Sequence, residues 1–356
     1  HQQTGEAAIA STAEVYGANQ FVLGPRLHSF EQAFAKYVGA RYCVGLGTGL
    51  DAMHAALIAA GVEEGDEVIV PAHTYIASWM AVSRLRAKIV PVDVAEDSML
   101  IDPILASEAI SSRTKVIMPV HLYGQPCDMA GLAQVASEHQ VAIVEDYAQA
   151  HGARFGGKRT GAFGVCNATS FYPTKNLGAL GDGGAITTND ESSYERIKQF
   201  RNYGSRYRFV NAAEATNSRL DELQAAVLSV KLQHLDTWNR ERQLLAKTYF
   251  EELEGVGDLQ FQKATIEGES VYHLFVVRTA KRHQLQQHLA EKGIETAVHY
   301  PIPPHLQKVY EHLGFHEGDF PVAEDIAKTA LSLPLYPGLH PDQVEAISKE
   351  IRNFYL

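Results

Sequence analysis

The sequence predicts an α/β protein built around a large, mostly parallel sheet. Two observations carry this prediction. Short apolar runs rich in β-branched residues, typical of strands buried on both faces of a parallel sheet, occupy 67–70, 88–92, 115–120 and 141–144. Residues 132–139 provide a crossover helix between the last two runs, which makes a βαβ unit.

Helical periodicity flanks these strands. Before the first of them, apolar residues recur at helical spacing in two groups: Phe30, Phe34, Tyr37 and Val38, then Leu50, Met53, Leu57 and Ile58. After the strands, the apolar pattern from Leu220 to about Tyr249 predicts either one long helix or a pair of helices.

The character of the chain changes after Gly257. We predict a strand at 273–277, a helix at 282–292, a strand-like segment at 294–300 and further helices to Leu356, with a Pro-rich segment at 301–304. A chain of 356 residues can hold one large core and a smaller lobe. The expected domains are therefore a large one at 1–245 and a small C-terminal α+β domain at 246–356.

Composition excludes several classes of function. The net charge of −11 argues against a nucleic-acid partner, because phosphate binding needs a basic face. No apolar run approaches the roughly 18 residues of a membrane span, and no signal-peptide pattern stands at the start. Since the chain begins at His1 without methionine, we expect a short N-terminal piece to be missing.

The cysteines and histidines do not suggest a metal. Cys43, Cys127 and Cys166 are far apart, which fits reduced core thiols in a cytoplasmic protein better than disulfides or a zinc site. The 16 histidines show no metal-ligand spacing. We therefore expect no metal and a cytoplasmic location.

The segment 170–185 is the most informative part of the chain. It places Lys175 in a short turn between two apolar stretches, together with Pro173 and four glycines. An amine held in a fixed direction inside a cleft has a lowered pKa and becomes nucleophilic. The alternative is a solvated loop lysine, and the turn alone does not exclude it.

Asp146 closes the apolar strand that precedes this turn. A carboxylate in that position must be paired or hydrogen-bonded to stay ionised. Its partner could be a pyridinium N–H, Gln149 or His151, and a structural turn or N-cap aspartate remains the alternative. Glu145 should point to the opposite side of the strand. Pyridoxal 5'-phosphate (PLP) requires two such groups of a protein: an amine that forms a Schiff base with it and an aspartate that binds its ring nitrogen.

Residues 45–50 follow a short apolar run and open a helix. Backbone N–H groups at a helix N-terminus, with the hydroxyl of Thr48, can cradle a phosphate. A dinucleotide fingerprint would need glycine where Leu50 stands, and a plain N-cap with Asp51 is the other alternative.

Two further features could bind ligands at the carboxyl ends of the strands, where ligands gather in such sheets. Tyr75 follows the first buried strand and could stack on a flat ring, or merely pack. The stretch 196–208 is locally basic and could bind an anionic substrate such as a diphosphate, or could be a solvated helix face. Its candidate substrate-binding residues are Arg201, Tyr203, Arg206 and Arg208, to which we add His299 and Tyr300.

Taken together, these segments resemble the DegT/DnrJ/EryC1/StrS sugar aminotransferases over nearly the whole chain. The motifs that carry the resemblance are 20–24, Gly47-Thr-Gly, Glu145-Asp-Tyr-Ala-Gln149, Ser170-Phe-Tyr-Pro-Thr-Lys175-Asn-Leu-Gly and Asn217-Ser-Arg-Leu-Asp-Glu-Leu-Gln-Ala-Ala226. The resemblance implies the fold-type-I PLP architecture and a homodimer with active sites shared across the interface.

The resemblance also implies roles for particular residues. Lys175 would bind PLP covalently and Asp146 would bind its pyridine nitrogen, with Tyr75 over the ring and Gln149 beside it. The residues implied for the phosphate are Thr48, Gly49 and Ser170, with Asn217 reaching it from the partner subunit. Ala215 stands where the family often has glycine, which puts the local turn in doubt.

The segments 202–205 and 217–221, with Trp238-Asn-Arg, most resemble the enzymes that aminate C3 of dTDP-3-keto-6-deoxyhexoses with L-glutamate as donor. The alternatives are a C4 aminotransferase of a dTDP- or UDP-4-keto-6-deoxyhexose and a UDP-3-keto sugar aminotransferase. A PLP-dependent sugar dehydratase and a non-catalytic regulator are rivals of a different class. Because family dehydratases carry histidine in place of the lysine, Lys175 favours transamination.

Overall fold

The computed structural model describes residues 4–207 and 210–356. Its helices are α1 (Gly5–Ala18), α2 (Pro25–Val38), α3 (Gly49–Ala59), α4 (Ile76–Ser83), α5 (Pro103–Glu108), α6 (Met129–His139), α7 (Glu191–Phe200), α8 (Glu222–Leu232), α9 (Leu235–Leu253), α10 (Arg282–Glu291), α11 (Pro321–Thr329) and α12 (Pro341–Tyr355). Short 3-10 turns lie at Leu122–Gly124, Pro304–Leu306 and Lys308–Leu313. None of the described helices is both long and apolar enough to cross a membrane.

The strands, in chain order, are β1 (Tyr42–Leu46), β2 (Glu67–Pro71), β3 (Lys88–Val92), β4 (Thr114–Ile117), β5 (Ala142–Asp146), β6 (Arg154–Phe155), β7 (Lys158–Arg159), β8 (Cys166–Ser170), β9 (Gly184–Thr188), β10 (Ser205–Tyr207), β11 (Val210–Asn211), β12 (Gln260–Phe261), β13 (Gly268–Glu269), β14 (Phe275–Arg278) and β15 (Ala330–Leu333). Seven of them form the central sheet in the order β1-β9-β8-β5-β4-β2-β3. Strand β9 runs antiparallel to both of its neighbours, and the other pairs are parallel. The predicted α/β class with a mostly parallel sheet is confirmed.

The buried strands explain why these runs lack hydrophobic alternation. Val68 and Val70 of β2 pack with Trp79 in the core on one face of the sheet. Ile69, between them, packs with Leu132 of the crossover helix on the other face. Successive side chains of a strand point to opposite faces, so a strand covered on both sides is apolar throughout.

Two predicted elements differ in extent. Strand β4 ends at Ile117, before the predicted end at 120. The crossover helix begins at Met129 rather than 132, because Asp128 caps it by accepting the backbone N–H of Gly131 at 3.0 Å.

The strand-like segment 294–300 is not a strand. It forms a single bridge, in which Ala297 and Ser332 exchange backbone hydrogen bonds of 3.2 and 2.7 Å. Beyond this bridge, the carbonyl of His299 accepts the hydroxyl of Tyr123 rather than a backbone N–H of β15.

The segment from Leu220 to Tyr249 resolves into a pair of helices, α8 and α9. Helix α9 runs unbroken through residue 245, where the domain boundary was expected. Its second half contributes to the core of the C-terminal region, whose members include Leu245, Tyr249, Leu253, Phe275, Leu331 and Ile351. The boundary at 245 stays a prediction.

Candidate active site

Lys175 lies in the connection between β8 and β9, which are neighbouring strands of the central sheet. Its backbone N–H donates to the carbonyl of Tyr172 at 2.9 Å, which closes a tight turn. A Cβ at Gly178 would lie 2.4 Å from the carbonyl oxygen of Pro173, so a side chain there would force the turn open. The glycine thus lets the turn fold tightly and fixes the direction from which the half-buried lysine side chain starts.

Burial lowers the pKa of the Lys175 ammonium to about 8, and the neighbouring carboxylate of Asp146 opposes part of that shift. The rings of His151, His273 and His299 are also close: burial lowers the pKa of each, and the charge of Lys175 lowers it further. About a tenth of the Lys175 amines are therefore neutral and nucleophilic at pH 7, and about half at pH 8.

Asp146 ends β5 and is 5% exposed. Its Oδ2 accepts the hydroxyl of Ser78 at 2.8 Å, and its Oδ1 accepts the backbone N–H of Ala148 at 3.2 Å. Burial raises the pKa of this carboxyl, while the two donors and the charge of Lys175 lower it. The carboxylate keeps lone pairs for a further donor, as a cofactor ring nitrogen would provide.

Neither of the protein partners expected for Asp146 bonds to it. The side chain of Gln149 bonds to Tyr123 and Tyr300, and the ring of His151 bonds to Thr169 and the backbone of Leu177.

Glu145 points to the other side of the strand, as expected. There it accepts the backbone N–H groups of Gly161, Phe163 and Gly164 and pairs with His121. It is therefore a structural carboxylate that holds the loop after β7.

The phosphate candidates come together where α3 begins. The hydroxyl oxygen of Thr48 accepts the backbone N–H of Asp51 at 3.0 Å, so the N-cap interpretation is right for this residue. A Cβ at Gly49 would lie 2.5 Å from the Cβ of Ser170, so the absence of a side chain lets the helix start and the end of β8 meet. The same residues can also receive a phosphate, since N–H groups at a helix N-terminus bind anions.

The residues 299–300 reach this site from the C-terminal region. Gln149 donates to the hydroxyl of Tyr300 at 3.2 Å, and the backbone N–H of Tyr123 donates to the Gln149 amide oxygen at 2.7 Å. Tyr123 also donates its hydroxyl to the carbonyl of His299. The ring of Tyr75, 53% exposed, lies 5.1 Å from that of Tyr300. Tyr75, Gln149, His299 and Tyr300 are thus brought together.

The prediction that Arg201 binds substrate is wrong. Its guanidinium is buried, pairs with Glu31 and donates to the carbonyl of Gly45 at 2.8 Å. A buried charge needs such partners, and these bonds commit the side chain to holding α2 against β1.

Two other candidates from the basic stretch lie at the surface. Tyr203 and Arg206 are exposed, and the guanidinium carbon of Arg219 lies 5.6 Å from the Tyr203 ring centre. Arg208 lies outside the described residues. Asn217 is exposed and precedes Ser218, whose hydroxyl oxygen accepts the N–H of Gly47 at 3.0 Å.

Sequence reasoning missed Ser78, although a signal was available. Ser78 stands three residues after Tyr75 in the helix that follows β2. Residues three apart lie on the same face of a helix. A second residue of α4 that faces the site of Tyr75 could therefore have been sought at position 78.

A lowered-pKa lysine and a buried strand-end carboxylate, set beside a helix N-terminus, define the class of PLP-dependent enzymes. The family model for the DegT/DnrJ/EryC1/StrS aminotransferase family matches residues 2–352. The chain belongs to this family, and it is an aminotransferase with PLP as cofactor.

Two relatives with assigned names illustrate the match. The chain is 46% identical to the dTDP-3-amino-3,4,6-trideoxy-alpha-D-glucose transaminase of Streptomyces venezuelae, over 97% of this chain and 91% of that protein. It is also 46% identical to the dTDP-3-amino-3,6-dideoxy-alpha-D-galactopyranose transaminase of Aneurinibacillus thermoaerophilus, over 94% and 91%.

Solved structures agree with this assignment. The crystal structure of DesV from S. venezuelae in complex with a ketimine intermediate matches with a TM-score of 0.98 and 45% identity, covering 99% of this chain and 95% of that one. A sugar aminotransferase from Streptococcus pneumoniae in its PLP form matches with a TM-score of 0.92 and 26% identity, covering 98% and 96%.

Proposed function

We propose that this aminotransferase moves the amino group of L-glutamate to C3 of a dTDP-3-keto-6-deoxyhexose, giving a dTDP-3-amino-3,6-dideoxyhexose. The observation that carries the proposal is Lys175 with its lowered pKa beside Asp146, which supplies the machinery of transamination. The similar relatives named as dTDP-3-amino sugar transaminases support the choice of sugar class and position.

The bound PLP supplies an electron sink through which an amino group passes between donor and acceptor. Lys175 would hold the cofactor and, once released, carry the proton between the substrate carbon and the cofactor. Asp146 would keep a proton on the ring nitrogen, because a buried carboxylate favours the cationic form of a neighbouring base. Tyr75 would cover the ring, and Gln149 would lie beside it.

The remaining residues would bind and orient. Thr48, Gly49 and Ser170 would hold the phosphate of PLP at the start of α3. For the sugar nucleotide we propose His299 and Tyr300, which reach the cofactor site from the C-terminal region, and the exposed Tyr203, Arg206 and Arg208.

We also propose a homodimer with shared active sites and a cytoplasmic location. Exposed apolar side chains on α1 and the segment leading to α2, a face that a second copy would cover, support the dimer: Ile9, Tyr16, Phe21, Val22 and Leu23. Asn217 would then reach the phosphate in the neighbouring subunit. The three buried, unpaired cysteines support a reducing compartment.

A dTDP-3-keto-6-deoxyhexose with glutamate and PLP should yield the 3-amino-3,6-dideoxy sugar and 2-oxoglutarate. The 4-keto isomer should react on the order of a hundredfold more slowly, because its carbonyl is displaced by one ring atom from the reacting amine. NMR of the products locates the nitrogen on the sugar ring. A comparison with the UDP-linked 3-keto sugar tests which nucleotide the enzyme prefers. Nitrogen on C4 would overturn the position, and a dehydrated or deaminated product would overturn the reaction.

Mixed dimers test the shared site. If Asn217 serves the neighbouring subunit, co-expressed Asn217→Ala and Lys175→Ala chains form heterodimers in which both lesions fall in one site and the other is intact. Each heterodimer should recover up to about half of wild-type activity, whereas each variant alone stays defective. Differently tagged chains allow the heterodimers to be purified and assayed. Absence of recovery in them would place Asn217 in the site of its own chain.

A further inference from the structure

The start of helix α4 contributes two residues to the candidate cofactor site, Tyr75 and Ser78. Tyr75 is its N-cap residue, and Ser78 lies in the first turn. Ser78 is 1% exposed, and its hydroxyl donates to Oδ2 of Asp146 at 2.8 Å. One helix start thus supplies both the candidate ring-stacking residue and a donor to the candidate ring-nitrogen partner.

A second hydroxyl stands behind the first. The Oγ1 of Thr74, a residue only 2% exposed, lies 3.1 Å from the Oγ of Ser78. A serine hydroxyl has one proton, and Ser78 gives it to Asp146, so the Thr74 hydroxyl must donate to Ser78. The two hydroxyls therefore point in series toward the carboxylate, and each strengthens the next.

Among the described residues, few other groups offset the free-energy cost of burying the charge of Asp146. Lys175 faces it with a positive charge, and burial weakens that contribution because it lowers the pKa of the Lys175 ammonium to about 8. His121 is near, but its Nδ1 accepts the backbone N–H of Cys127 at 3.0 Å and its Nε2 lies 2.9 Å from Glu145, so neither ring nitrogen bonds to Asp146. Tyr300 also faces Asp146, and burial keeps its hydroxyl protonated by raising its pKa. The Ala148 N–H and the Ser78 hydroxyl are the neutral donors that persist.

We propose that Ser78, supported by Thr74, is a positioning residue that keeps Asp146 ionised and turned toward the cofactor ring nitrogen. This inference rests on the proposed role of Asp146. A hydrogen bond to a charged acceptor stabilises the charged form, so its removal raises the pKa of a buried carboxyl.

The test measures Asp146 directly in the apoprotein. With aspartate labelled by carbon-13 at the side-chain carboxyl, the Asp146 resonance is identified by its absence in Asp146→Asn. We expect Ser78→Ala to raise the pKa of Asp146 by about one to two units. Thr74→Val, which removes the second hydroxyl at nearly constant shape, should produce a smaller rise in the same direction.

Affinity for PLP supplies a second readout. Because a raised pKa leaves the carboxyl neutral at lower pH, Ser78→Ala should bind PLP more weakly than wild type at pH 6 and approach it at pH 8.5. Ser78→Thr keeps a hydroxyl and should restore both the pKa and the affinity. Ser83→Ala, on the same helix with its hydroxyl on the carbonyl of Met80, is the matched control and should change neither.

The outcomes separate this inference from the proposed function. An Asp146 pKa within a few tenths of a unit of wild type in both Ser78→Ala and Thr74→Val would overturn the role of the hydroxyl pair and leave the role of Asp146 standing. Full activity of Asp146→Asn would instead remove the role of Asp146, whatever the NMR titration shows. A uniform loss of PLP affinity at every pH would indicate mere packing and contradict the proposal.

Discussion

Lys175→Ala should abolish transamination, with turnover lower by on the order of 10⁴-fold or more. The variant loses both the amine that holds the cofactor and the group that moves the proton, and general acid–base catalysis alone contributes roughly 10²–10⁴-fold. Borohydride treatment of the wild-type protein loaded with PLP should fix the cofactor to the peptide that contains Lys175. Mass spectrometry of the digest locates it, and attachment to any other lysine would contradict the assignment.

Lys263→Ala is a matched control for this experiment, because Lys263 is an exposed lysine paired with Asp97 at 2.9 Å. Its activity and its labelling should equal those of wild type. The pH dependence adds a second check: burial lowers the pKa of Lys175 to about 8, so the neutral, reactive fraction of the amine shrinks as the pH falls below that value. Capture of PLP by the apoprotein should quicken about tenfold per unit up to pH 8 and then level off.

Asp146→Asn should fold normally and lose about a hundredfold to a few thousandfold in turnover. Removing one partner of a buried ion pair costs about 3–5 kcal/mol, and about 1.4 kcal/mol corresponds to a factor of ten in rate. The amide keeps the size of the side chain, and its one carbonyl oxygen can still accept from either Ser78 or Ala148, so the fold should be retained and the main loss should fall on the cofactor. Circular dichroism and thermal unfolding check the fold, and steady-state kinetics check the rate.

Asp102→Asn provides the control for this change, since Asp102 caps α5 by accepting the N–H of Ile104 at 2.8 Å. It should leave kcat and KM unaltered. An Asp146→Asn enzyme within threefold of wild type would show that Asp146 does not face the ring nitrogen.

The fold was predictable because its strands are buried on both faces. Such strands carry an unbroken apolar run, and β2, β3 and β5 were recognisable from that signal alone. Strand β9 was not recognised, because Gly184-Ala-Ile-Thr-Thr188 includes two threonines and follows directly on the Gly-rich turn. Its antiparallel direction also depends on the neighbours it pairs with, which local sequence does not encode.

The residues of the candidate site were likewise predictable only where the signal is local in the sequence. Lys175 and Asp146 were recognisable because glycine turns and strand ends are local features. Arg201 was misinterpreted because its partner Glu31 lies far away in the sequence, on α2, and a local cluster of basic residues says nothing about distant carboxylates. Ser78 depends on a contact between α4 and β5 and was missed for a similar reason.

The pairing of β1 with β9 affects how the chain folds while it is being synthesised. Tyr42 of β1 pairs with Thr188 of β9, and β9 pairs in turn with β8. The loop at Thr48 and the turn at Lys175 therefore follow strands that are neighbours in the sheet but far apart in the sequence. Contacts of such high contact order form slowly, because a long loop must close before they contribute any stability. A nascent chain on the ribosome holds β1 without its partner until β9 has emerged. N-terminal fragments that end before β9 should therefore fail to capture the cofactor, and the unpaired edge of β1 is a point at which chaperones can act during synthesis.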